Sequence, residues 1–103
     1  MSVLVEFAMF PTDKGESVSA YVSRILKMFQ EGETPYRLTP MGTIFETESM
    51  EKALKIIGEA YKRLPSDCSR IYATVKFDIR EGKSNRMNEK IASIEKRIGK
   101  VAS

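Results

Sequence analysis

The sequence predicts one α+β domain with the ferredoxin-like, or split βαβ, plan, in which two helices cover one face of a four-stranded antiparallel sheet. Three observations predict it. The chain has 103 residues, enough for a single domain spanning residues 1–103 and too few for two. Its composition, 42% hydrophobic and 30% charged, is that of a folded globular protein. Its hydrophobic periodicity follows the order β-α-β-β-α-β, with an extra C-terminal helix, and the usual strand order of this plan is 4-1-3-2.

The first strand and the first helix are predicted from a change of period. Side chains alternate over Val3–Phe10, and Pro11 ends the strand. Apolar residues then recur at helical spacing, which predicts a helix from about Ser17 to Glu31. Ser17 is expected to be the N-cap of this helix, and Gly32 is expected to end it.

The remaining elements follow from the same patterns. Tyr36–Thr39 is predicted to be an edge strand because a proline flanks each end, and Thr43–Glu48 is predicted to be the next strand. A second helix is expected between a Ser49 cap and Pro65, and Ile71–Arg80 has the clearest strand alternation. A stripe of four residues marks the third helix: Met87, Ile91, Ile94 and Ile98.

Strand alternation divides the side chains of the sheet between two faces. The face under the helices is expected to carry Val5, Phe7, Met9, Phe45, Ile71, Ala73, Val75, Phe77 and Ile79. The uncovered face is expected to carry Leu4, Glu6, Ala8, Phe10, Ile44, Glu46, Tyr72, Thr74, Lys76, Asp78 and Arg80. Apolar groups beside charges on an uncovered face predict a subunit interface, with Glu6 and Lys76 paired across adjacent strands, or a ligand site. The pattern leaves both open.

Composition excludes several kinds of catalytic and metal site. There is no histidine, so no histidine triad, base or metal ligand exists. Cys68 is the single cysteine, which excludes an internal disulfide or a cysteine cluster, and we expect its role to be incidental. Glu6, Glu46 and Asp78 are too sparse to predict a metal site or a catalytic carboxylate pair, so no metal and no cofactor is expected. With no long apolar run and no signal-like start, the expectation is a soluble cytoplasmic protein without a membrane partner.

The C-terminal part of the chain is basic. Residues 76–103 contain eight lysines and arginines against four acidic residues. Glu89 and Glu95 are interleaved with the lysines there, and no aromatic residue follows Phe77 on which a base could stack. We therefore expect a solvated helix and no nucleic-acid partner.

Several segments together resemble the thiamine-binding, YkoF-like family of small ferredoxin-like proteins. They are Glu6 followed by Pro11, Ser17-Val-Ser19, Met41-Gly42-Thr43-Ile-Phe-Glu46, Arg70-Ile-Tyr72 and Lys76-Phe-Asp78-Ile-Arg80. The resemblance extends from Val3 to about Ile98. It implies a ferredoxin-like protomer, a homodimer formed through the sheets and often a homotetramer. It also implies that the protein binds thiamine or its hydroxymethylpyrimidine half and does not catalyse a reaction.

The resemblance implies a set of ligand-binding residues: Phe10, Ser17, Ser19, Met41, Gly42, Thr43, Glu46 and Asp78. Thiamine combines a cationic thiazolium with an aminopyrimidine, so its site needs a carboxylate, hydroxyls and an apolar or aromatic wall. Glu46, Thr43 and Phe10 are residues of these types. Alternation nevertheless places Thr43 and Glu46 on opposite faces of their strand, and Ser17 is also explained as a plain helix cap.

Three functions are considered for the chain. The first is a non-catalytic carrier or sensor of thiamine or a related pyrimidine. The alternative is a structural or regulatory homo-oligomeric module without a small-molecule ligand. The third is an enzyme that uses Glu6 and Glu46 as a carboxylate pair, which the absence of histidine and of a nucleophile pattern disfavours.

Overall fold

The sheet has the predicted strands and the predicted order. The computed structural model describes all residues, 1–103, and contains β1 (Ser2–Pro11), β2 (Tyr36–Thr39), β3 (Gly42–Thr47) and β4 (Ile71–Arg80). The strands form one antiparallel sheet in the order β2-β3-β1-β4. The ferredoxin-like plan is confirmed, with β1 and β3 in the middle.

Two helices cover one face of the sheet and close the core. They are α1 (Ser19–Glu31) and α2 (Met50–Lys62), and both pack on β1 while α2 also packs on β3. Ten hydrophobic side chains form the core: Val3, Val5, Phe7, Met9, Ile25, Phe29, Phe45, Ala53, Ala60 and Leu64. Five of the ten come from β1 and β3 because alternate residues of those central strands face the helices.

The prediction that Phe77 is a core residue is wrong. Phe77 lies opposite Val5 in the β1–β4 register and so is on the predicted face of the sheet. Its exposure is nevertheless 38%, and Ile79 is also exposed. The cause is the position of β4 at the edge of the sheet, beyond the strands on which α1 and α2 pack.

The face opposite α1 and α2 is partly covered, which corrects the expectation that it is bare. The third helix, α3 (Arg86–Ile98), folds back over this face and contacts β1 and β3. Arg37 of β2 donates a hydrogen bond to Asn88 of α3 at 3.3 Å. The predicted pair on this face is confirmed, because Lys76 Nζ lies 2.7 Å from Glu6 Oε1.

The helix starts are only partly as predicted. Ser49 caps α2, and its hydroxyl accepts a hydrogen bond from the Lys52 backbone N–H at 3.2 Å. Ser17 does not cap α1, because the Val18 carbonyl is the first acceptor of that helix and no side chain caps it. Gly32 ends α1 as predicted. None of the three helices has the length and apolar character needed to cross a membrane.

Candidate functional site

An apolar cavity lies where the end of β1, the start of α1 and the β2–β3 turn meet. Its volume is about 200 Å³. Fourteen residues line it, ten of them hydrophobic: Phe7, Ala8, Met9, Phe10, Val18, Val22, Ile25, Leu26, Leu38, Thr39, Pro40, Met41, Gly42 and Thr43. A concave, mostly apolar wall with few polar groups is typical of a small-molecule site, and this one is small enough to suit a single ring.

Thr43 supplies the polar group in the wall of this cavity. Its side chain is only 4% exposed because Thr43 lies opposite Phe7, on the helix-facing side of β3. Its hydroxyl has no hydrogen-bond partner in the protein, yet it is not sealed away from the cavity. By contrast, the Thr39 hydroxyl bonds the Gly42 carbonyl at 2.9 Å. Thr43 therefore presents a free donor and acceptor to whatever occupies the cavity.

Gly42 allows the cavity wall to close tightly. A Cβ atom at Gly42 would lie 2.9 Å from the Phe7 carbonyl oxygen, a distance that side chains do not tolerate. A residue with a side chain would push the start of β3 away from β1. The glycine in the Met41-Gly42-Thr43 segment is thus explained by close approach of two backbones.

Phe10 and Met41 lie at the edge of the cavity. The Phe10 ring lies 6.1 Å from the Tyr72 ring, in a tilted aromatic pair across the β1–β4 ladder. Met41 is 86% exposed on the β2–β3 turn, next to the opening. Such a large exposed apolar side chain beside an apolar cavity can cover a ligand without rearrangement of the fold.

Ser17 and Ser19 flank the cavity and do not line it. Both side chains are exposed, whereas Val18 between them faces the cavity. The preceding loop is fastened to the α2–β4 loop, because Asp13 Oδ2 accepts two 2.8 Å hydrogen bonds from Ser69. The hydrogen bond from the Ser69 backbone N–H, and after it the one from the Ser69 hydroxyl, lower the pKa of the Asp13 carboxyl. The chain that leads into α1 is thereby fixed in place.

Glu46 lies away from the cavity, at the start of α3, and its carboxylate is already occupied. It is only 8% exposed. Its Oε2 accepts hydrogen bonds from the Ser2 hydroxyl at 2.6 Å and the Arg86 N–H at 3.0 Å. Its Oε1 accepts one from the Met87 N–H at 3.1 Å. Because the α3 N-cap residue, Asn85, makes no side-chain cap, Glu46 performs that role from β3.

The pKa of the Glu46 carboxyl is lowered. Burial by itself would raise it, because desolvation disfavours the charged form. The hydrogen bonds from Ser2 and from the first two N–H groups of α3, together with the charge of Arg86, outweigh burial. Glu46 is therefore held as a carboxylate by the fold itself.

Asp78 belongs to the same network as Glu46. Arg86 Nη1 lies 3.1 Å from Asp78 Oδ2, and Arg86 also donates to the Asp78 carbonyl. Arg86 donates further hydrogen bonds to the Ser2 hydroxyl at 2.9 Å and carbonyl at 3.0 Å. We call Ser2, Glu46, Asp78 and Arg86 the Glu46 network; it anchors α3 to β1, β3 and β4.

Six of the eight predicted site residues thus divide into two groups, and Ser17 and Ser19 belong to neither. Phe10, Met41, Gly42 and Thr43 meet at the cavity, whereas Glu46 and Asp78 meet in the Glu46 network. Thr43 and Glu46 lie on opposite faces of β3, as alternation predicted, and are separated by about 10 Å along the strand.

Comparison with known proteins identifies the family of this chain. The family model described as thiamine-binding protein matches residues 5–95. The chain belongs to the thiamine-binding protein family. The resemblance found in the sequence is therefore confirmed, and the match covers both core helices and all of the sheet except the first three residues of β1.

Curated relatives match this chain over nearly their whole length. The UPF0045 protein MJ1052 of Methanocaldococcus jannaschii is 30% identical over 92 residues, covering 89% of this chain and 91% of that protein. A UPF0045 protein of Staphylococcus xylosus is 37% identical over 101 residues, covering 90% and 92%.

Solved structures show the same fold. The crystal structure of MJ1052 superposes with a TM-score of 0.78 over 90% of this chain and 95% of that one. The structure of a proposed thiamine biosynthesis/salvage protein from Thermotoga maritima superposes with a TM-score of 0.76 at 18% identity, covering 91% and 99%. At that identity the likeness concerns the fold alone.

The sequence did not reveal the apolar lining contributed by the start of α1. From the sequence, Val18, Val22 and Leu26 indicate only the apolar stripe of the predicted first helix, whereas in the structure they line the cavity. Their spacing is the same whether they pack on the sheet or line a cavity at its end. Ser2 and Arg86 were also missed, because their role depends on α3 folding back across the sheet.

Proposed function

We propose that this protein binds thiamine, or its hydroxymethylpyrimidine half, in the cavity between α1 and the β2–β3 turn, and does not act on it chemically. The observation that carries the proposal is the Thr43 hydroxyl, which is accessible and has no partner in the protein although the residue is largely buried, in a mostly apolar wall. An aminopyrimidine has flat apolar faces for such a wall, and an amine and ring nitrogens for the hydroxyl. Membership of the thiamine-binding protein family supports the same ligand class.

The pyrimidine half is the better match to the cavity. No carboxylate is among its lining residues, so the thiazolium cation finds no counter-ion inside it. The cationic half would then extend past Met41 toward solvent. We expect hydroxymethylpyrimidine to retain most of the affinity of thiamine.

We propose that the protein catalyses no reaction because its two candidate catalytic carboxylates already have partners within the fold. Glu6 is paired with Lys76, and Glu46 holds three hydrogen bonds within the fold. Neither is offered to a substrate as a general acid or base, since a base must be free to reach the proton that it takes.

Thr43→Val is the variant that tests the site. It keeps the side-chain shape and removes the hydroxyl, so the affinity for thiamine should fall about three- to tenfold, the value of one neutral hydrogen bond. Stability without ligand should stay the same or rise, since no partner in the protein is lost. Isothermal titration calorimetry measures the affinity, and thermal unfolding measures the stability.

Thr39→Val is the matched control. The Thr39 hydroxyl accepts from the Met41 N–H and donates to the Gly42 carbonyl, so its loss should loosen the turn and lower stability. If Thr43→Val binds thiamine as tightly as the unmodified protein, the Thr43 hydroxyl is not part of the site. If the unmodified protein gives no heat of binding with thiamine, the homo-oligomeric module without a ligand is the better explanation.

We also propose that the protein assembles through its sheet, as a dimer that can pair into a tetramer. On the face shared with α3, Tyr72 remains exposed, and on the other face of the β4 edge Phe77 and Ile79 remain exposed. Apolar side chains along an unpaired edge strand favour association.

Light scattering at micromolar concentration should therefore give at least twice the protomer mass of 11.7 kDa. Ile79→Lys, on the β4 edge, should shift the protein toward the monomer. Leu54→Lys, a similarly exposed position on α2, should leave the dimer intact. A monomer mass for the unmodified protein would refute assembly through the sheet.

A further inference from the structure

A second, positively charged groove separates α3 from the ends of β1 and β4. Its volume is about 600 Å³. It is lined by five cationic side chains, Arg80, Lys83, Arg86, Lys90 and Arg97, and by two acidic ones, Asp78 and Glu89. Leu4, Ser93 and Ile94 complete it.

Most of the positive charge in this groove is uncompensated. Arg86 is paired with Asp78, and those two charges cancel. The other four cationic side chains have no carboxylate within ion-pair distance anywhere in the protein. Only Glu89 is left to offset them within the lining. Like charges facing one another repel, so the groove favours an anion from solution.

The cations converge from three segments of the chain. Arg80 ends β4, Lys83 lies in the following loop, and Lys90 and Arg97 project from one face of α3, seven residues apart. Helical residues at that spacing lie on the same side, two turns from each other. The charges therefore surround the groove instead of forming a line along an exposed surface.

We propose that this groove binds a small polyanion, of the chemical class of a diphosphate or triphosphate. Its volume falls in the range of about 300–1,000 Å³ that small-molecule sites occupy. No aromatic side chain lines it, so a nucleic-acid base would find no stacking partner. Lysine and arginine are the side chains that bind phosphate oxygens, and the Ser93 hydroxyl adds a further donor.

The groove is separate from the cavity proposed for thiamine. Leu4 lines the groove, and Phe7 is the first residue of β1 that lines the cavity, so about 10 Å of strand separates them and alternation places their side chains on opposite faces of the sheet. The polyanion site therefore does not depend on the proposed function, and a compact ligand fills one without reaching the other.

Calorimetric titration with inorganic tripolyphosphate at constant ionic strength tests the proposal. The unmodified protein should bind it, and the triple variant Lys83→Gln, Lys90→Gln, Arg97→Gln should lose at least tenfold in affinity, since each charged contact is worth about tenfold. Arg86 is left unchanged because it anchors α3. The matched control is a triple variant that removes the same charge from α1 and α2: Lys27→Gln, Lys55→Gln, Lys62→Gln. It should change the affinity for tripolyphosphate less than about twofold, because these charges are distant from the groove and screened by salt.

Three results would overturn the proposal. One is the absence of tripolyphosphate binding at millimolar concentration. Another is an equal loss in both triple variants, which would mean attraction to net charge alone. The last is binding of a single-stranded oligonucleotide that is tighter than binding of tripolyphosphate and that disappears in the triple variant at Lys83, Lys90 and Arg97. Thiamine affinity, measured on the same samples, should be unchanged in both variants, so failure of this proposal is distinguishable from failure of the thiamine site.

Discussion

Replacing Phe7 by alanine is expected to lower the free energy of unfolding by about 3–5 kcal/mol, the range for a fully buried phenylalanine. Phe7 is 3% exposed. Its ring contacts two others, with centroids 5.7 Å from Phe45 and 6.1 Å from Phe29. The alanine variant leaves a cavity where α1 packs on the two central strands, and the surrounding aromatic rings cannot close it without losing their own contacts.

Phe77→Ala is the matched control for Phe7→Ala. Phe77 lies on the same face of the sheet as Phe7, but because it is partly exposed, we expect the free energy of unfolding to fall by only about 1–2 kcal/mol. Denaturant unfolding of both variants, each over a series of protein concentrations, separates packing from association. Equal losses that do not depend on concentration would show that the helices cover β4 as fully as β1.

Glu46→Gln is expected to destabilise the protein by about 1.5–3 kcal/mol at neutral pH, the value of hydrogen bonds to a charged group. Both oxygens of the Glu46 carboxylate accept N–H groups from the start of α3. The amide of glutamine offers only one oxygen, so one buried N–H must face another donor. The favourable interaction of a negative charge with the helix N-terminus is also lost.

The loss in Glu46→Gln should depend on pH in a definite direction. The fold lowers the pKa of Glu46, so its stabilising contribution is complete above the unfolded-state pKa of about 4.3 and is lost as the pH falls through the lower, folded-state pKa. The stability difference between the unmodified protein and Glu46→Gln should therefore be largest at pH 7 and should shrink below about pH 4.

Thiamine affinity of the same variant separates the two roles of Glu46. The family resemblance implied that this carboxylate binds the ligand, in which case affinity falls and stability changes little. The Glu46 network implies the opposite result, with lower stability and an unchanged intrinsic affinity. A tenfold weaker affinity with unchanged unfolding would return Glu46 to the ligand site.

The fold was predictable from the sequence because its signals are local. Alternation in β1 and β4 and the helical stripes of α1 and α2 are properties of neighbouring residues, and their order specifies the sheet. The exposure of Phe77 was not predictable in the same way. Its alternation pattern is that of a half-buried strand, and only the tertiary position of the helices decides how far it is covered.

The candidate site was predictable only in part. The Met41-Gly42-Thr43 segment and Phe10 were identified by resemblance, and the fold brings them to one cavity. Glu46 was separated from them because its partners, Ser2 and the start of α3, are about forty residues away in sequence on either side. No local pattern encodes a contact that requires a helix to return across the sheet.

Binding of thiamine in the cavity at the β2–β3 turn is tested most directly by following backbone amide NMR signals during a thiamine titration. We expect saturable shifts at Phe10, Met41, Gly42 and Thr43, and at Val18 and Val22 of the opposite wall, with little change at Ser2, Asp78 and Arg86. Shifts confined to Ser2, Glu46, Asp78 and Arg86 would place the ligand at the start of α3 and show that the cavity is not the thiamine site.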